Sequence, residues 1–167
     1  MADPLDLATV LRAGRPQPDA GWLEAAHGTT TVGRRRAAYV AEAWQGTPVG
    51  DHCVGLVAPD PVAFATLFVA LVAAGATVVP LDPRAPGPAN RDLLDRAGAD
   101  AVLTVGADSG DLGHPVHLVG EELLPPELDL EPPGGAAEGG VLLFSSGSTG
   151  PLAFASSSTA LRGPCAR

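Results

Sequence analysis

The chain has 167 residues, enough for one domain with a core, and its 46% hydrophobic and 17% charged content fits a globular protein. Its net charge of −9, with no basic face large enough to offset it, argues against nucleic acid as a partner. All ten basic residues are arginine, so chemistry that needs a lysine of this chain, such as a Schiff base or a phosphate-clamping ammonium, is excluded.

The opening Met1-Ala2-Asp3-Pro4 is acidic and the stretch after it amphipathic, unlike the basic-then-apolar texture of a secretory signal. Two cysteines, Cys53 and Cys165, lie far apart in dissimilar contexts, which is cytoplasmic usage and not a disulfide framework. Asp3 to Arg12 reads as a short capped helix, and Trp22 to Val32 as two strand-like pieces about His27-Gly28, a hairpin. From Arg34 to Trp44 the apolar residues Ala37, Ala38, Val40, Ala41 and Trp44 recur at helical spacing, with charge on the other face. The run Arg34-Arg35-Arg36 is then a solvated helix face and not a polyanion site.

Next comes a regular alternation. Cys53 to Ala58 reads as a strand, with Cys53 packing as a small hydrophobe. A helix is expected from Asp60 to Ala74, with Asp60 as N-cap and Pro61 at its first position, and a strand from Ala76 to Leu81. Pro61 to Leu81 carries no charge, a length that meets the criterion for a membrane span. Gly75 stops the helix, however, and Thr77-Val78-Val79-Pro80-Leu81 is strand-like, so a buried helix followed by a buried strand is expected and no membrane. A further helix is predicted over Ala89 to Ala97, then strands at Ala101 to Val105, Val116 to Val119 and Val141 to Phe144. The Glu, Pro and Gly-rich stretch between Gly120 and Gly140 reads as a connector. Strand, helix, strand, helix, strand predicts an α/β fold: a mostly parallel sheet with helices on its faces.

The last strand runs straight into Ser145-Ser146-Gly147-Ser148-Thr149-Gly150. Glycines let a backbone come close to an anion, and successive N–H groups with serine and threonine hydroxyls donate to phosphate oxygens. A plain linker has the same composition. The position at a strand end favours a ligand, since open α/β sheets bind theirs outside the carboxyl ends of the strands. No lysine follows, so this is not the G-x-x-x-x-G-K-[ST] loop. Elsewhere the polar candidates are weaker. His114 and His117 lack a third ligand and read as surface histidines, Asp82 reads as a turn former before Pro83, and Trp22 and Trp44 read as packing residues. No Gly-x-Ser-x-Gly elbow is present.

The segment from Val141 to Gly150 resembles the phosphate-loop signature of the adenylate-forming superfamily of acyl-CoA synthetases, acyl-AMP ligases and adenylation domains, an apolar strand followed by [ST]-S-G-[ST]-T-G. Upstream, Leu71-Val72-Ala73-Ala74-Gly75-Ala76-Thr77-Val78-Val79-Pro80-Leu81-Asp82-Pro83 looks like that family's L-x-A-G-x-x-x-V-P-L-D-P motif. Leu93 to Leu103 resembles the helix and strand that usually lie between the two. The resemblance spans about Thr29 to Gly150 and implies the N-terminal subdomain of an adenylate-forming ligase, truncated: residues 1–150 a partial N-terminal domain with a connector at 120–139, and 151–167 a degenerate or disordered tail.

What the resemblance implies for function is ATP-dependent activation of a carboxylic acid as an acyl adenylate, often followed by thioester formation on CoA or a carrier protein. Ser145, Ser146, Gly147, Ser148, Thr149 and Gly150 would hold the ATP phosphates, with Mg²⁺ as the accompanying ion. The family's loop continues x-P-K-G, whereas here Gly150 is followed by Pro151-Leu152-Ala153-Phe154. Ala153, or Leu152 if one residue is deleted, takes the lysine's place. With the deletion, Ser157-Ser158-Thr159-Ala160-Leu161 matches the family's S-H-x-A-L. The later adenine, metal and lysine motifs are not in this chain, so no catalytic residue or metal ligand is assigned. The expectation is a chain inactive alone, in need of a complementing chain. The alternative is a non-catalytic remnant acting as a binding or interaction module.

Overall fold

A computed structural model describes residues 21–24, 31–106, 110–130, 140–143 and 154–155. Two short antiparallel strands open it, β1 (Gly21–Glu24) and β2 (Thr31–Gly33), matching the expected hairpin. The residues between them lie outside the described ones, as does the expected helix at Asp3 to Arg12. Helix α1 (Arg34–Trp44) follows directly and buries Val40, Ala41 and Trp44, one helical stripe, while Tyr39 faces outward. A single 3-10 turn at Pro48–Asp51 then leads to the central sheet.

That sheet has the order β6-β5-β3-β4-β7-β8. Its first five members, β3 (Cys53–Val57), β4 (Thr77–Pro80), β5 (Ala101–Val105), β6 (Val116–Val119) and β7 (Gly140–Leu143), run parallel, and β8 (Phe154–Ala155) pairs antiparallel with β7. Every residue of β3 and β5 is buried. This accounts for their continuous apolar runs, because a strand covered on both faces has no polar side to alternate.

Two helices do the covering. Helix α2 (Pro61–Ala73) connects β3 to β4 and α3 (Gly87–Ala97) connects β4 to β5. The two connections travel in opposite directions along the sheet, so crossovers of one hand set their helices on opposite faces. The core divides accordingly. On the first face Val54, Leu56, Val78, Leu103 and Val105 pack with Leu67 and Leu71 of α2 and Trp44 of α1. On the second, Cys53, Val57, Val79, Leu81 and Val102 pack with Leu94 and Ala97 of α3. Alternate residues of each strand go to alternate faces, as the pleat requires.

Both helices stop the same way. In α2 the N–H of Gly75 (φ +98°) bonds to Val72 and that of Ala76 to Leu71. In α3 the N–H of Gly98 (φ +64°) bonds to Asp95 and that of Ala99 to Leu94. This double closure satisfies the last helical carbonyls and needs a left-handed residue, which explains both glycines. Gly75 has a second reason: a Cβ there would lie 2.9 Å from the Gly50 carbonyl oxygen, and one on Gly50 would lie 2.6 Å from that of Ala74.

Three expectations need correction. The uncharged Pro61 to Leu81 unit is a helix and a strand, but α3 begins at Gly87, before the expected Ala89, since Pro88 takes an early helical position where its missing N–H costs nothing. The apolar run Val141 to Phe144 reads as a buried strand, yet of the leucines in β7 only Leu142 is buried, and Leu143 is 52% exposed. The stretch after β6 is more than a connector, because Leu123 enters the first core and Leu128 packs against it. Among the described residues no helix is long and apolar enough to cross a membrane.

Candidate functional site

Because the strands are parallel, β3, β4, β5 and β7 all end on one edge of the sheet. The connection leaving β3 turns onto the first face and the one leaving β4 onto the second, so the edge is open between neighbouring strands whose loops part company. β7 lies beside β4 at that place, with Thr77 opposite Gly140 and Val78 opposite Val141. Phe144 and the six candidate phosphate ligands Ser145, Ser146, Gly147, Ser148, Thr149 and Gly150 follow β7 in sequence but lie outside the described residues.

A carboxylate follows each of β3 and β4 at this edge, and both are engaged by backbone. After β3, one Asp60 carboxylate oxygen accepts from the N–H groups of Val62 (2.7 Å) and Ala63 (3.2 Å), capping α2. Following β4, Asp82 accepts from the Arg84 N–H at 2.8 Å, and its own carbonyl takes the Ala85 N–H (3.1 Å) and the Nδ2 of Asn90 (3.0 Å). Asn90 is buried within the first turns of α3, and its amide ties that helix back to the turn. The turn-forming reading of Asp82 thus holds, and the edge is a rigid frame for whatever follows β7.

The remaining polar groups sit elsewhere. His114 places Nε2 3.0 Å from Asp95 Oδ1 on α3, so it is paired against a helix and not a free surface histidine. His117 lies on edge strand β6 opposite Leu103. Beside His114, Asp111 accepts from the Gly113 N–H at 2.9 Å and meets Arg91 at 3.1 Å. That backbone bond first, and the guanidinium second, hold the Asp111 carboxyl below the usual carboxylate range. Cys53 is buried, its thiol 3.7 Å from the Ala97 carbonyl, as expected of a small packing residue. Among the described residues no three His, Cys, Asp or Glu side chains gather as metal ligands.

At the level of sequence, no family model and no curated protein matches the chain. Solved structures match its fold. IdnL7 is 25% identical with a TM-score of 0.63, over 92% of this chain and 35% of its own. The anthranilate CoA ligase AuaEII, solved with anthranoyl-AMP, is 20% identical with a TM-score of 0.65, over 95% of this chain and 34% of its own. ATP-bound MatB from Rhodopseudomonas palustris is 20% identical with a TM-score of 0.60, over 90% and 34%. This is the N-terminal portion of the adenylate-forming fold. The chain spans about a third of the length of these structures. The fold that the resemblance implies is therefore matched in three dimensions, while residues 144–150 of the phosphate-loop motif lie outside the described ones. The adenylate-forming fold also brings forward two residues the motifs did not single out, Asn90 and Leu123. A buried asparagine three residues into a helix carries little sequence signal, and a leucine with left-handed backbone carries none.

Proposed function

We propose that the chain belongs to an enzyme that activates a carboxylic acid with ATP as an acyl adenylate, and that Ser145 to Gly150 hold the ATP phosphates. The observation that carries this reading is the pairing of β7 with β4, which delivers the chain to the carboxyl edge of the sheet immediately before that loop. The donor set suits the ligand: hydroxyls and glycine-flanked N–H groups match phosphate oxygens. MatB with ATP and AuaEII with anthranoyl-AMP supply the substrate classes. In the reaction a carboxylate oxygen bonds to the α-phosphorus, the bond to the β-phosphate oxygen breaks, and pyrophosphate leaves; such transfer depends mainly on positioning and charge stabilisation. Mg²⁺ would accompany the nucleotide and neutralise phosphate charge. CoA or a carrier protein would take the acyl group, in the cytoplasm.

Alone, the chain is proposed to be inactive and to need a complementing chain, because it has no lysine and Leu152 or Ala153 stands where the family's loop has one. Losing one preorganised stabilising group costs on the order of a hundredfold to a thousandfold in rate. The same absence favours the second reading, a non-catalytic binding module. Calorimetric titration with ATP, GTP and pyrophosphate, alongside carboxylate-dependent pyrophosphate exchange, tests both. Weak, similar binding of all three, lost in Gly147→Val, with no exchange, is the expected result. Full binding in Gly147→Val removes the loop from the explanation, and exchange by the chain alone removes the need for a complement.

A further inference from the structure

After β6, at one edge of the sheet, the described residues 120–130 run on without forming a helix or a strand. Residues 120–130 pass over the first face, where Leu123 is 6% exposed in the core and Leu128 packs at its margin. The Leu123 N–H bonds to the Gly120 carbonyl at 2.9 Å, and from 124 to 130 no backbone hydrogen bond joins another described residue. A polar contact pins the segment from below. The buried Trp44 indole N–H donates 2.8 Å to the Leu123 carbonyl. Leu123 holds a φ of +58°, the one positive value outside glycine among the described residues, a conformation that disfavours a branched side chain. Glu121, Glu122, Glu127 and Asp129 are exposed along its outer side.

These features set the strap apart from what lies beneath it. Local opening free energy follows the buried apolar surface and protected backbone bonds of a unit, and the strap has one buried leucine, Leu123, three half-buried ones, Leu124, Leu128 and Leu130, and no strand ladder, where β3 and β5 have full ladders on both sides. The backbone strain at Leu123 is relieved when it lifts. We propose that residues 120–130 form a detachable clasp with Trp44 as its catch, which lifts as a unit while the sheet and helices stay folded. Opening bares the apolar side chains packed around Trp44.

The test is hydrogen exchange of the Trp44 indole proton by NMR on the full chain, followed through sub-denaturing guanidinium and compared with amides of β3 and β5; Trp22→Phe assigns the resonance. A detachable clasp predicts an indole proton exchanging at least tenfold more readily than the central amides, with a shallower dependence on denaturant. Leu128→Ala is expected to accelerate it about tenfold. Leu94→Ala, in the opposite core, is expected to accelerate the amides and leave the indole unchanged. An indole proton that follows the central amides in denaturant slope overturns the proposal, and this comparison decides by itself if Leu94→Ala does not fold.

Discussion

The indole N–H of Trp44, at the end of α1, donates 2.8 Å to the carbonyl of Leu123, a residue 79 positions later. Trp44 has no exposed surface, so its N–H has to find an acceptor inside the protein. The strap provides one, and the pair joins the first helix to the connection that feeds the last parallel strand.

Trp44→Phe keeps an aromatic ring but leaves a buried carbonyl without a donor and a small void beside it. An unsatisfied buried acceptor costs about 1–3 kcal/mol, so a loss of about 2 kcal/mol is expected. Urea unfolding followed by circular dichroism measures it, and a change below about 0.5 kcal/mol, the ordinary scatter for surface substitutions, would mean that the bond contributes nothing.

Gly75 combines a left-handed backbone with a carbonyl oxygen where a Cβ would go. Gly75→Ala is therefore expected to destabilise by about 2 kcal/mol or more. Gly87 has neither constraint, with nothing within 4 Å of an added Cβ, and Gly87→Ala at the start of α3 is expected to be neutral or mildly stabilising. Equal melting temperatures for the two variants would contradict the close approach of Gly50 and Gly75.

Much of this architecture is legible in the chain because its signals are local. Leu71 to Ala76 and Leu94 to Ala99 share the spacing of a leucine, three residues, glycine and alanine, and in both the leucine carbonyl receives the alanine N–H. Asp60-Pro61 announces the start of α2 equally well. What the chain hides is decided at a distance. Nothing near Leu123 reports that Trp44 will meet it, and nothing in Val141 to Leu143 reports that Leu142 will find α3 while Leu143 finds no cover. The candidate phosphate loop is legible as composition, and its six residues lie outside the described ones.

Asp60→Ala removes the acceptor shared by two otherwise unpaired N–H groups of α2. A loss of about 1 kcal/mol is expected, and Asp60→Asn, which keeps the acceptor, is expected to recover most of it. Thermal unfolding of both variants compares them. If asparagine is as damaging as alanine, the cap acts through charge and not through the hydrogen bond.

The Asp111 carboxyl titrates below the usual carboxylate range because the Gly113 N–H, and then Arg91, favour its charged form. A depressed folded-state value means that the stabilisation is present above the ordinary midpoint near ~4 and is lost as pH falls through the folded one. The group is exposed, so the effect on stability is small and screened by salt. An NMR titration of the Asp111 side-chain carbon is expected to give a low midpoint that rises part of the way in Arg91→Gln. An ordinary midpoint in the unaltered chain would count against the contact.

Among the described residues, the central strands β3 and β5 are buried on both faces by this chain's own side chains. The exposed large apolar side chains of the described residues are Tyr39 on α1, Val116 and Leu118 on the outer strand β6, and Leu143 on β7. Two of the four stand on the edge strand β6, and Leu143 on β7 stands next to the last strand. A longer polypeptide built on this layout would add to it as a neighbour adds to a finished wall, joining at the sides or resting on the outer surfaces of the helices. Insertions and fusions should accordingly be tolerated at the margins long before they are tolerated within the β3-β4-β5 centre.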